Sequence, residues 1–133
     1  MARRVTRVAG VALLAVATIA AWTPPAIAAR PAGDDRAARE IAGLIRVLGE
    51  SGCRFARNGR WHDAAQARAH LQRKYDWARK RGMDGTAENF IERAASRSSL
   101  SGRPYRVRCP GRPEVDAHDW FSEQLERLRA AGA

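Results

Sequence analysis

Three arginines, Arg3, Arg4 and Arg7, precede an apolar run over residues 8–22 that contains no acid. A Pro24-Pro25 pair and the small-residue string Ala26-Ile27-Ala28 follow it. That order is the pattern of a secretory leader, with cleavage expected after Ala28. It constrains the fold more than any other feature, because it removes the most apolar stretch from the folding problem. The run is shorter than the roughly 20 residues that span a bilayer as a helix, so removal is expected rather than anchoring. No cysteine stands at the cleavage point, which speaks against a lipid-anchored product. The paired arginines lack the hydrophobic residues of a twin-arginine leader. Residues 1–28 are therefore expected to leave, and residues 29–133 to form one small domain in the periplasm or a secreted one, with no transmembrane segment after cleavage.

Export changes the meaning of the cysteines. Only two are present, Cys53 and Cys109, and an oxidising compartment favours their pairing. A bridge closing so long a segment is worth roughly 4 kcal/mol on chain-entropy reasoning. Metal ligation would need more ligands than the neighbourhood of either cysteine offers.

Periodicity outlines the elements. Asp34 and Asp35 are candidate caps for a helix whose inner face is Ala38, Ile41, Leu44, Ile45 and Leu48, closed by Gly49 and Gly52. The period then shifts to two: Cys53, Phe55 and Arg57 alternate with Arg54 and Ala56, and Asn58-Gly59 supplies a turn. Asp63 caps a second helix with the apolar stripe Ala64, Ala67, Leu71, Tyr75 and Ala78, while His70, Lys74, Trp77 and Arg81 form a row on one flank. Thr86 opens a third helix carrying Phe90, Ile91, Ala94 and Ala95, which ends in a Ser- and Gly-rich loop over 98–104. Tyr105, Val107 and Cys109 alternate with Arg106 and Arg108 as a second strand, and Asp116 caps a last helix with Ala117, Phe121, Leu125 and Leu128 inward. The expectation is an α+β fold of about four helices and a small two-stranded antiparallel sheet, in the order α-β-α-α-β-α. Placing Cys53 opposite Cys109 sets Phe55 against Val107 and sends Arg54, Arg106 and Arg108 to the other face.

Two blocks carry a family resemblance. The strings Phe55-Ala56-Arg57-Asn58-Gly59 and Ala67-Arg68-Ala69-His70-Leu71 with Lys74 form the first. Thr86-Ala87-Glu88-Asn89-Phe90-Ile91-Glu92 and Ser98-Ser99-Leu100-Ser101-Gly102-Arg103-Pro104-Tyr105 form the second. Together they resemble the YfeK-like small exported bacterial proteins, domain of unknown function family 5329, over roughly residues 41–128. The resemblance implies no activity, cofactor or catalytic residue. Some look-alikes lack the cysteine pair, so it implies that the disulfide supports the fold and is not the site of action.

Charge adds a direction. The full chain carries a formal +10, with 22 Arg and two Lys among its basic residues. From residue 29 on, basic and acidic side chains balance over 29–50 and again over 82–133, while 51–81 holds nine basic against two acidic. Such an imbalance attracts acidic partners. Nucleic acid is the usual partner of a basic stripe, but an exported protein rarely meets it. The expected partners are anionic lipid, a cell-wall polymer or an acidic envelope protein, met by a basic patch of Arg54, Arg73, Lys74, Arg79, Lys80 and Arg81. Trp61 and Trp77, beside these cations, read as core or rim packing, with a glycan- or lipid-facing patch as the alternative.

No nucleophile elbow, zinc-protease helix, phosphate-binding glycine loop or paired-cysteine metal motif is present, and the sequence calls for no cofactor and no metal. His62-Asp63 and His118-Asp119 sit at helix starts, where the Asp serves the helix. The candidate binding residues are Arg57, Asn58, His70, Lys74, Ser98, Ser99, Ser101 and Tyr105, which the two blocks contribute between them. The leading expectation is a binding or accessory protein without catalysis. A small hydrolase or transferase centred on His70 and Ser98, Ser99 and Ser101 is the alternative, and a purely structural envelope protein is the third.

Overall fold

The computed structural model describes residues 10, 22–23, 25–28 and 32–132; the charged start and most of the apolar run of the expected leader lie outside them. Helix α1 spans Ala32–Glu50, strand β1 Arg54–Arg57, β2 Arg60–His62 and helix α2 Ala64–Arg79. Helix α3, Ala87–Phe90, runs directly into a π-helical turn, Ile91–Ala95. Strands β3, Arg106–Arg108, and β4, Val115–Asp116, lead into helix α4, Ala117–Ala130. Among the described residues, no helix is long and apolar enough to cross a membrane.

The fold is α+β, with four strands where two were expected. They form one antiparallel sheet in the order β2-β1-β3-β4. Its centre has the expected register, Arg54 opposite Arg108 and Phe55 opposite Val107. Cys53 and Cys109 are bridged at the end of that pair, their Cα atoms 4.2 Å apart across a sequence separation of 56. The two extra strands are short. Arg57 pairs with Arg60 across Asn58 and Gly59, whose φ angles of 49° and 77° make the tight two-residue turn that suits the twist of a hairpin. Asn and Gly tolerate that backbone better than any other pair. Val115 pairs with Val107 and Asp116 with Arg106 on the opposite edge.

One face of the sheet is covered by helices. Phe55 and Val107 point inward to Ile41, Leu44, Leu48, Leu71, Phe121 and Leu125, all buried. Trp120 stands edge-on to Phe55 at 5.5 Å and to Phe121 at 4.9 Å between ring centroids. Gly43 leaves room for the Leu128 side chain of α4 to lie against α1. The outer face carries Arg54, Arg106 and Arg108. Arg106 is paired with Glu114 and Asp116, and Arg108 is paired with Glu114 and covers the Trp61 ring at 4.3 Å.

Helix ends follow the expected chemistry with two differences. Asp63 and Gln66 form a reciprocal capping box on α2, and Thr86 accepts from the Asn89 amide at the start of α3. Asp34 and Asp35, however, lie inside the first turn of α1 and do not cap it, since the helix begins at Ala32; there they oppose the positive end of the helix dipole. Asp116 occupies the cap position of α4 but makes no cap bond, because its carboxylate is taken by Arg106. Glu40 was not foreseen in the core. Its side chain is 3% exposed and receives both arms of Arg129 at 2.9 Å and Arg36 at 3.0 Å. Arg129 also reaches Glu88 at 2.7 Å, so one arginine of α4 ties α1 to α3.

Candidate functional site

β1 delivers Arg57 to the inner face of the sheet, and the turn after it leaves the Asn58 side chain free to reach across. Asn58 Nδ2 donates to Ser98 Oγ at 3.3 Å, and Ser101 Oγ donates to Asn58 Oδ1 at 2.6 Å. Ser98 Oγ also accepts from the amides of Leu100 and Ser101, and the Gly102 amide donates to the Ser98 carbonyl. The serine-rich loop is thus a folded turn, buried at Ser98 and clipped to the hairpin by side chains alone. At its end the Tyr105 amide donates to the Ser96 carbonyl, and the Tyr105 ring enters the core.

His70, on α2, meets both segments. Arg57 Nη1 lies 2.8 Å from His70 Nδ1, and His70 Nε2 lies 3.3 Å from Tyr105 Oη. The same Nη1 lies 3.2 Å from His70 Nε2, so the guanidinium, which can only donate, meets the imidazole at both ring nitrogens. Burial first, then the positive charges of Arg57, Lys74 and Arg73, hold the imidazole down at about 4. His70 is neutral at pH 7. Burial also raises the Tyr105 hydroxyl, against the opposing pull of Arg57 and Ser98.

Lys74 departs from the exposed flank expected of it. It is half-buried, and its Nζ donates to the Ala94 carbonyl at 2.6 Å and the Arg97 carbonyl at 3.4 Å. Those carbonyls are freed where the π-helical turn ends, so Lys74 acts as a cationic cap on another helix. Its Nζ also lies 5.4 Å from the centre of the Tyr105 ring. Burial and Arg57 bring the ammonium down to about 8.

Seven of the eight candidate residues therefore meet: Arg57, Asn58, His70, Lys74, Ser98, Ser101 and Tyr105. Ser99 is exposed and lies on the rim. Among the described residues, His70 makes its hydrogen bonds with Arg57 and Tyr105 and with no serine.

The basic stretch is not one surface. Alternation along β1 puts Arg54 on the outer face of the sheet, opposite to Arg57. Arg73 is exposed on α2. At the far end of that helix Arg79 lies over the Tyr75 ring at 5.6 Å, and Arg81 lies over the exposed Trp77 at 3.9 Å and donates to its carbonyl. Lys80 is exposed beside them. What unites these residues is how they are paired. Among the described residues, no cation of 51–81 forms an ion pair with a carboxylate. Arg36, Arg46, Arg97, Arg106, Arg108, Arg112, Arg127 and Arg129, all outside it, do.

Two hollows flank α2. A cavity of about 280 Å³ opens beside Arg57, with His62, Gln66, His70, Arg73 and Tyr105 as its other polar walls and Leu48, Phe55, Leu71 and Phe121 behind them. A broader groove of about 510 Å³ runs past Lys74, Trp77, Met83, Asp84, Arg93 and Ser99, and His70 and Arg73 belong to both. His62 and Gln66 escaped sequence reasoning as wall residues. Strand β2 turns His62 inward, opposite Phe55, and the signal that could have found it is the Asn-Gly turn, which calls for a returning strand. Among the described residues, no cluster of three or more His, Cys, Asp or Glu gathers as a metal site.

Comparison with known proteins gives kinship and no chemistry. The chain is 47% identical over 51 residues to the uncharacterised protein YfeK of Salmonella typhimurium strain LT2, covering 38% of this chain and 41% of that protein. The chain thus matches about two-fifths of the length of this curated relative. No solved structure matches it. The family described as a family of unknown function, DUF5329, matches residues 35–129, nearly the whole length that the two sequence blocks and the folded core occupy. The chain belongs to the DUF5329 family.

Proposed function

We propose that the chain is exported, loses residues 1–28, and works outside the cytoplasm as a small single-domain binding protein for an anionic envelope molecule, without catalysis of its own. The observation that carries this reading is the unpaired charge of 51–81. Among the described residues outside that stretch, most arginines are paired with neighbouring carboxylates, whereas Arg57 and Arg73 line a cavity with no acid on its walls. Charge left uncompensated around a concave site favours an anion from solution. The leader pattern and the disulfide, a bond that persists in oxidising compartments, support export. His70, neutral and committed to Arg57 and Tyr105, serves as a positioning group. The hydrolase alternative lacks a contact between base and nucleophile.

The test uses the oxidised protein with vesicles of anionic lipid, vesicles of neutral lipid, and an anionic cell-wall polymer. Binding to an anionic partner that weakens steeply between low and physiological salt is expected, since exposed charges are screened over about 8 Å at the latter. Replacing Arg57 and Arg73 with Gln should weaken it at least tenfold. Undiminished binding by that variant, or equal binding to neutral vesicles, would reject the reading.

A further inference from the structure

The cavity beside Arg57 has two chemically distinct halves. Its cationic walls are Arg57, half-buried against His70, and Arg73, exposed on α2. Its floor is apolar: Phe55, Leu71, Ala117 and Phe121 belong to the core, and all are buried. No acid lines it, whereas the broader groove across α2 has Asp84 on its wall. A free inorganic anion would use only the first half. A neutral apolar molecule would leave the cations without a partner.

We propose that this cavity binds a small amphiphilic acid, its anionic head against Arg57 and Arg73 and its apolar body on the floor formed by Phe55, Leu71 and Phe121. The inference rests on the anion-binding reading above and adds the ligand's chemical class. Size sets the body. At about 30 Å³ for each group of water size, a cavity of about 280 Å³ holds roughly nine. That matches a single acyl chain of medium length or one substituted ring. Small-molecule sites begin near this volume, at about 300 Å³, and combine apolar walls with a few placed polar groups. Here those groups are already ordered: Arg57 is held by His70, and His70 by Tyr105. Preorganised partners cost a ligand less entropy on binding. Gln66 and His62 add hydrogen-bonding groups to the wall.

The experiment compares octanoate, octan-1-ol and butyrate by calorimetry on the oxidised protein, with the Phe121 ring followed by NMR. Octanoate is expected to bind at least tenfold tighter than either control and to shift the Phe121 resonances. In Arg57→Gln, octanoate should fall at least tenfold, to the level of octanol. In Ala67→Leu, which fills the cavity from α2, octanoate should fall to the level of butyrate, with thermal melting used to confirm that each variant is folded. Butyrate equal to octanoate would overturn the amphiphile and leave the anion reading standing. Octanol equal to octanoate would overturn both. Binding to none of the three, or octanoate bound without a shift at Phe121, would overturn the placement in this cavity whatever the vesicle measurement gives.

Discussion

At the scale of single residues, His70 shows how position overrides type. An exposed histidine titrates near 6.5; this one is held at about 4 by burial and by the cations of Arg57, Lys74 and Arg73, with His62 adding a smaller push. The unfolded chain takes up a proton on His70 as pH falls through 6.5, and the folded chain resists until about 4. Across that window the unfolded state binds more protons, so this residue's contribution is full above about 6.5 and is lost as the pH drops towards 4. His70→Gln should flatten the fall in unfolding free energy over that range by about 1 kcal/mol, after allowing for solvent screening of a half-buried group. Urea unfolding at closely spaced pH values measures it. Parallel curves for the two proteins would mean that His70 does not carry the acid sensitivity. Lys74 makes the same point with the opposite outcome: read as a surface cation, it is a half-buried cap for two carbonyls.

At the scale of elements, the tie between helices is the Glu40–Arg129 pair. Arg129, through its hydrogen bonds, holds the Glu40 carboxyl below the usual carboxylate range. Removing one partner of a buried pair leaves the other uncompensated, at a cost of about 3–5 kcal/mol in fully buried cases. Glu40→Ala should therefore cost roughly 2–4 kcal/mol by denaturant unfolding, Arg129 being partly exposed. Arg36→Ala should cost under about 1 kcal/mol; comparable losses for the two would contradict the assignment. Glu40 was legible in principle, since it falls on the same helical face as Ala37, Ile41 and Leu44, but an acid reads by default as solvated. The sequence was clearest where period and chemistry agreed, as in the alternation at Phe55 and Val107 with the cysteines beside them. Strands β2 and β4 are three and two residues long, too short for alternation to appear. Asp63 and Asp116 next to them advertise a helix start instead. Of the site, the blocks holding Arg57, His70 and Tyr105 could be named, but the clip of Asn58 to Ser98 and Ser101 is a side-chain contact across about forty residues, which no periodicity encodes.

At the scale of the whole molecule, the single covalent cross-link joins the two central strands on which the inner face is built. Intact-mass measurement of the protein recovered from outside the cytoplasm should give a chain starting at Ala29 and two hydrogens lighter than its reduced form. Reduction should lower the unfolding free energy by up to about 4 kcal/mol, as chain entropy requires for so long a loop. A mass that retains Met1, or a thiol count unchanged by reductant, would contradict export with a closed bridge. The uneven pairing of charge has a consequence of its own. Because carboxylates pair with most of the described arginines outside 51–81, the excess positive charge falls on β1, β2 and α2, and an excess confined to part of a body gives it a dipole. Near a negatively charged surface such a body experiences a torque as well as an attraction. It turns while still several ångströms away and arrives with the β1–α2 side leading, so a larger share of its collisions begins in a productive orientation.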